Sequence, residues 1–353
     1  MIKVLVIDDS ALVRKLLTEE LNKQKDIEVV GTAMNPYIAR DKIVKLKPDV
    51  LTLDLEMPQM DGLSFLAKLM KHFPLPVVVV SSLTPRNSQN ALHALRLGAI
   101  EVICKPGSAY STQNITQDIV NAVRTASIAK FDRQPALYNN NAPKIEHTSE
   151  QVNLVHTTNK LIAIGSSTGG TQALEAVLTQ LPPNLPGIVI VQHMPPIFTK
   201  SFADRLNTIC QVNVKEAEDG DHVQSGSVLI APGNYHMLIE KNGARYYTRI
   251  KQGPPVLHHR PSVDVLFNSV ARSAGINAMG VILTGMGTDG AKGLLNMKEK
   301  GAFTLGQDEA TSVVYGMPRE AFNIGAVKEQ LPLQKIPEKI INHMKRKVLE
   351  PHL

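Results

Sequence analysis

A chain of 353 residues, 43% of them hydrophobic, has material for two separate cores, and no apolar run approaches the ~18 residues of a membrane span. The opening M-I-K-V-L-V-I-D-D-S lacks the apolar segment and small-residue cleavage site of a secretory signal, and Cys104 and Cys210 fall in different halves; the expectation is a cytoplasmic protein with reduced thiols and no membrane insertion. The net charge of +6 does not single out nucleic acid, because much of the excess sits in Lys335, Lys339, Lys345, Arg346 and Lys347, against Glu338 and Glu350, and aromatic residues for stacking bases are scarce.

The first third alternates strand and helix signals five times. Strands are predicted at Lys3 to Ile7, Ile27 to Ala33, Val50 to Leu53, Val77 to Val80 and Glu101 to Cys104, with helices between them whose apolar residues recur at helical spacing, as in Leu12, Val13, Leu16, Leu17 and Leu21. That alternation predicts a doubly wound parallel sheet, in which ligands bind beyond the carboxyl ends of the strands. Those ends carry Asp8 and Asp9, Asp54, Ser81 and Ser82, and Lys105 before Pro106. Three carboxylates at one edge repel one another and call for a cation; hard oxygen ligands suit Mg²⁺, and a lysine and a hydroxyl beside it would hold phosphoryl oxygens.

Asp8-Asp9, Asp54 followed by Met57-Pro58 and Asp61-Gly62, Ser81 and Lys105-Pro106 together resemble the receiver domain of two-component response regulators across residues 1–124. The resemblance implies a flavodoxin-like α/β fold. It also implies that Asp54 accepts a phosphoryl group from a CheA-type histidine kinase, that Asp8, Asp9 and Asp54 hold Mg²⁺, and that Ser81 and Lys105 contact the phosphoryl group. Val102 departs from the pattern, standing where many receivers carry an aromatic switch residue.

From Thr125 the periodicity fades, apart from a helix expected over Asn114 to Phe131, and residues 125–158 read as a polar interdomain connector. The alternation resumes in residues 159–350. The run L-I-A-I-G-S-S-T-G-G-T, Leu161 to Thr171, reads as a buried strand breaking into a small-residue turn before a helix over Gln172 to Leu181. Further strands are expected at Ile188 to Val191, Val228 to Ala231 and Gly280 to Leu283, giving a second, Rossmann-like parallel sheet. The turn lacks the dinucleotide and P-loop patterns but satisfies G-x-S-x-G, a short expression that by itself leaves nucleophile, anion cradle and plain turn equally open.

Ser167, His193 and Asp289 would all lie beyond strand ends. A serine needs a base within hydrogen-bond reach, a histidine titrates in the right range, and a carboxylate can fix its tautomer. Against that set stand ordinary roles. Asp289 could be an N-cap for a helix beginning near Gly290, and His258, His259 and Asp264, or Asp219, Asp221 and His222, compete as partners.

G-S-S-T-G-G, Q-H-M-P, R-P-S-V-D, L-T-G-M-G-T-D-G-A and Q-D-E-A-T-S-V-V-Y-G-M-P-R-E-A resemble the catalytic domain of the CheB family of chemotaxis protein-glutamate methylesterases, and receiver, connector and esterase follow in that family's order. The resemblance implies Ser167 as nucleophile, His193 as base and acid, Asp289 as its orienting carboxylate, and the backbone amides of Thr168 and Met286 as oxyanion donors. Ser166 is expected to support the turn. The implied substrate is a glutamate γ-methyl ester on methyl-accepting chemotaxis receptors, with deamidation of receptor glutamines as a second reaction. No cofactor is expected for the esterase step. A binding module without turnover and a DNA-binding regulator are the rival classes; no helix-turn-helix pattern supports the latter.

Overall fold

The computed structural model describes residues 1–57, 60–82, 84–105, 112–130 and 159–345. The chain divides into two compact units, Met1–Asn139 and Asn140–Leu353, each a parallel sheet with helices packed on it.

The first unit runs β1 (Ile2–Ile7), α1 (Ala11–Asn22), β2 (Ile27–Ala33), α2 (Pro36–Leu46), β3 (Val50–Asp54), α3 (Gly62–His72), β4 (Val77–Ser81), α4 (Pro85–Arg96), β5 (Glu101–Cys104) and α5 (Thr112–Ile128). Its central strands V-L-T-L-D and V-V-V-V-S are buried at every position, as unbroken apolar runs are when helices cover both faces of a sheet. The helix starts are written in the sequence: Ser10, Asn35, Asp61 and Thr84 each accept a hydrogen bond from the amide three residues on. The order β2-β1-β3-β4-β5 reverses between β1 and β3, so a crevice opens where Asp8 follows β1 and Asp54 closes β3. Gly62 permits the approach of α3 to that edge, since a Cβ there would lie 2.4 Å from the Asp54 carbonyl oxygen.

The five strands fall within a residue of expectation. The helix expected over Asn114 to Phe131 is α5, which begins two residues earlier, ends at Ile128 and buries Ile119, Val120, Ala122, Val123 and Ala126. Of the expected connector, residues 131–158 lie outside the described residues, as do Pro58, Pro106 and the tail from Arg346 onward.

The second unit continues with β6 (Leu161–Ser166), α6 (Gly170–Leu178), β7 (Gly187–Gln192), α7 (Phe198–Ile209), β8 (Asn213–Glu216), β9 (Ser227–Ile230), the hairpin β10 (His236–Asn242) and β11 (Arg245–Lys251), α8 (Val263–Ser273), β12 (Ala278–Ile282), α9 (Ala291–Glu299), β13 (Phe303–Gln307), α10 (Met317–Asn323), β14 (Glu329–Leu331) and α11 (Ile336–Lys345). Seven strands form one parallel sheet in the order β14-β13-β12-β6-β7-β9-β8. The antiparallel hairpin β10-β11 is a departure from the expected alternation; its strands turn at Gly243 (φ 57°). The direction of winding reverses between β6 and β12, whose ends pair Gly165 with Ile282. The turn after β6 and the loop after β12 therefore meet at the switch point.

Helix α8 is what fixes that edge. Val263, Leu266, Phe267 and Val270 recur at i, i+3, i+4 and i+7 and are all fully buried, a stripe in which each side chain contributes about 1.5–3 kcal/mol. Gly165 lets its first turn reach β6: a Cβ at 165 would lie 2.2 Å from Val263 Cγ1. Gly165→Ala should accordingly destabilise the second unit by about 1–3 kcal/mol, as overpacking does, and Val263→Ala in the same chain should recover most of the loss. Denaturant midpoints of the single and double variants check this, and equal midpoints for wild type and Gly165→Ala would contradict it.

Candidate active site and acidic cluster

In the first unit, Asp8, Asp9 and Asp54 bring carboxylate oxygens within 4.8 Å of one another. Lys105 Nζ sits 2.7 Å from Asp54 Oδ2 and 3.2 Å from Asp8 Oδ2. Burial pushes the Asp54 carboxyl up to about 6 even though Lys105 and the Glu56 amide oppose it, and burial likewise raises Asp8. Ser81 ends β4, buried one position beyond the Val80 that pairs with Asp54, and its carbonyl accepts the Lys105 amide at 2.9 Å. Asp8 Oδ2 is buried and faces the same Lys105 ammonium that Asp54 does. Three acidic side chains crowded around one lysine fit a hard divalent cation.

The raised Asp54 value gives a sign. Folding takes up a proton between the ordinary 3.8 and about 6, so this contribution to stability is present at low pH and lost as pH rises through about 6. A cation that binds only the ionised cluster restores it. Addition of Mg²⁺ should raise the unfolding temperature of the first unit at pH 7.5 and do so much less at pH 5; a shift independent of pH would show that the cluster does not hold the ion.

In the second unit, Ser166 pairs with Gln192 across β6 and β7, so Ser167 and His193 follow neighbouring strand ends, and the His193 amide donates to the Ser166 carbonyl at 3.1 Å. Gln192 ties the turn together: its side-chain oxygen accepts from the Ser166 hydroxyl at 2.7 Å and its Nε2 donates to the Ser167 carbonyl at 2.9 Å. Gly169 adopts φ 76° to open α6, where a side chain would strike Val313. The turn is clamped from the other side by Thr284, whose carbonyl accepts the Ser167 amide at 3.0 Å and whose hydroxyl donates to the Thr168 carbonyl at 3.0 Å. Met286 follows in the same loop, and among the described residues its amide has no acceptor. Gly285 makes the approach possible, since a Cβ there would lie 2.7 Å from Ser167 Cβ.

Asp289 does not cap α9, whose N-cap is Gly290 and which has no side-chain cap. Its carboxylate lies on the N-terminus of α8 instead, accepting from the Ser262 hydroxyl (2.8 Å) and the amides of Val263 (2.7 Å) and Asp264 (2.9 Å). The remaining contact is His193 Nε2 at 2.8 Å. Burial would raise this carboxyl, but the His193 contact, the amides and the helix dipole hold it at about 2. Asp264 returns the arrangement by accepting the Gly293 amide of α9 at 2.7 Å. His193 Nδ1 is buried and unbonded among the described residues. The ring thus turns Nε2 to the carboxylate, the reverse of the chymotrypsin arrangement.

The other candidates separate. Asp219 and Asp221 bond to Arg249 and Lys215, and His222 packs on Tyr247, all beside the hairpin. His259 lies flat on His193, ring centroids 3.7 Å apart. Sequence reasoning left it among alternatives; nothing in its spacing announces a stack formed by a loop.

A profile described as CheB methylesterase matches residues 162–340, and one described as response regulator receiver domain matches residues 4–117. The chain belongs to the CheB methylesterase family. A protein of Syntrophus aciditrophicus named protein-glutamate methylesterase/protein-glutamine glutaminase 2 is 55% identical over 96% of this chain and 98% of its own. One from Nitrosomonas europaea, named protein-glutamate methylesterase/protein-glutamine glutaminase, is 52% identical over 96% of each. The crystal structure of the Thermotoga maritima CheB methylesterase catalytic domain superposes with a TM-score of 0.52 at 41% identity, covering 52% of this chain and 98% of that one.

Asp289→Asn in this CheB family member offers one acceptor oxygen where three donors beside His193 need two. We expect a loss of about 10³- to 10⁴-fold in kcat, from a misassigned imidazole tautomer, with about 1–3 kcal/mol of stability lost through the unsatisfied amides. Ester-hydrolysis rates and thermal unfolding measure the two effects, and a fully active variant would remove Asp289 from the site.

Proposed function

We propose that the chain is a phosphorylation-activated protein-glutamate methylesterase that hydrolyses glutamate γ-methyl esters on chemoreceptors in the cytoplasm, and deamidates receptor glutamines by the same chemistry. The observation that carries this is the buried His193–Asp289 pair, held on the N-terminus of α8 beside the Ser167 turn. The names of the full-length relatives supply the substrate class. We assign residues 1–124 to the regulatory domain, 125–158 to the connector and 159–350 to the catalytic domain.

In this reading Asp289 takes the Nε2–H of His193, which leaves the lone pair on Nδ1 to accept the Ser167 proton. Ser167 Oγ bonds to the ester carbonyl carbon, and the oxyanion is met by the amides of Thr168 and Met286, each worth about 3 kcal/mol of transition-state stabilisation. The C–OCH₃ bond breaks as His193 returns the proton to methanol. Water, deprotonated by the same nitrogen, then cleaves the acyl-enzyme to the glutamate carboxylate. With a glutamine side chain, ammonia leaves instead.

Asp54 is the phosphoryl acceptor from a CheA-type kinase. Asp8, Asp9 and Asp54 would hold Mg²⁺, which neutralises phosphoryl oxygens, and Lys105 and Ser81 contact the same group. Phosphorylation acts by favouring one receiver conformation over another. The test is methanol release from methylated receptor membranes with and without acetyl phosphate. Ser167→Ala should abolish release, and Asp54→Ala should keep basal release while losing stimulation. Release unaffected by Ser167→Ala would overturn the mechanism, and no release by the wild type would overturn the activity.

A further inference from the structure

His259 closes a two-residue turn. Val256 and His259 exchange both backbone hydrogen bonds, at 3.0 and 2.9 Å, and the residues between them, Leu257 (φ 49°) and His258 (φ 69°), are both left-handed. Turns of that kind ordinarily use Asn-Gly, and bulky L residues there cost about 1–2 kcal/mol each. Such a conformation persists only where surrounding structure over-determines it. The anchors are next in the chain: Arg260 donates to the Gly253 carbonyl at 2.6 Å and to Asn234 Oδ1, and its carbonyl accepts the Asn234 amide at 3.1 Å. Beyond them Ser262 caps α8 and holds Asp289. This strained turn lays an imidazole on His193 with planes 9° apart.

We propose that His259 is a positioning residue for the hydrolysis: its ring is a wall against one face of His193 that holds Nε2 on Asp289, leaves Nδ1 as the basic nitrogen and keeps water from that face. The inference rests on the esterase reading. The titratable and charged groups around the stack are Asp289 from the β12–α9 loop, His193 after β7, His258 and Arg260 on the turn's own segment, and His236 on β10, which accepts the Ser262 amide. Burial and the neighbouring His193 hold His259 down at about 3, so it is neutral wherever the enzyme would work. Its effect is therefore one of shape and dielectric.

The experiment compares His259→Ala, His259→Phe and His258→Asn in the full chain. It reads kcat and KM for methanol release from about pH 5 to 8 and the His193 tautomer by nitrogen NMR of histidine-labelled protein. His259→Ala should lower kcat about tenfold with KM within about twofold and mix the two tautomers of His193. His259→Phe, which keeps a flat water-excluding face but cannot titrate, should retain kcat within about threefold together with the wild-type tautomer. His258→Asn, compatible with its left-handed position, should match wild type. Wild-type kcat and tautomer in His259→Ala, or His259→Phe as impaired as His259→Ala, would overturn the proposal. If wild-type protein releases no methanol, the esterase reading fails, and the tautomer comparison alone still decides whether the stack positions His193.

Discussion

The second domain depends on one carboxylate at a helix N-terminus. Asp289 is buried, and an ionised carboxylate in such a place is costly unless donors surround it. The first turn of α8 supplies two amides and a hydroxyl, and His193 supplies a fourth donor. These contacts let the group stay charged at an imidazole, and they also dock α8 against the sheet edge. Val263 has its amide on Asp289 and its side chain against Gly165 and Gly290, two positions where a Cβ would collide with it. The packing that stabilises the domain and the electrostatics that orient the histidine are thus carried by the same few residues. Loss of either one displaces the other.

The acidic cluster of the first domain solves a similar problem in the opposite sense. Its carboxylates also lie at a topological switch point, but they crowd one another, and Asp8 and Asp54 share a single lysine. Burial raises the Asp54 carboxyl to about 6 despite Lys105, where the His193 contact and the α8 amides hold the equally buried Asp289 at about 2. A cluster of like charges with spare oxygens is built to receive something positive. A carboxylate whose oxygens are taken by amides, a hydroxyl and an imidazole is built to keep its own charge fixed.

Much of this was legible in the sequence. Unbroken apolar runs such as Val77 to Val80 and Ile188 to Val191 mark buried parallel strands, and polar residues directly after them mark the ligand edge. Strands β8 and β14 escaped because they are short and only half buried, which gives no apolar run to detect, and β13 because Thr304 and Gly306 interrupt the apolar residues of its F-T-L-G-Q. The hairpin was visible in principle, since Asn242-Gly243 stands between strand-like segments, but the surrounding α/β alternation suggested no antiparallel pair. For Asp289, position in a Gly-rich loop suggested a cap for the helix that follows it. Its bonds run to α8 instead, a contact between residues 26 positions apart that no local pattern encodes. The stack of His259 on His193 was hidden for the same reason.

Strain also collects at this edge. Among the described residues, the non-glycine positions with positive φ are Lys47, Ile197, Asn234, Leu257 and His258. Lys47 is the left-handed cap of α2, a common use of that conformation. The others lie in loops after β7, after β9 and before α8, around the end of the sheet where Ser167 and His193 stand. Each costs free energy that the loop cannot supply, so the core must. Here the source is identifiable: the buried stripe of α8 fixes Ser262 and the segment before it, and Gly233 admits the loop after β9 to within 2.3 Å, measured from a hypothetical Cβ, of the Pro196 nitrogen. A well-packed helix behind the sheet edge lets the loops in front of it hold shapes their own residues disfavour, and those shapes carry the histidines.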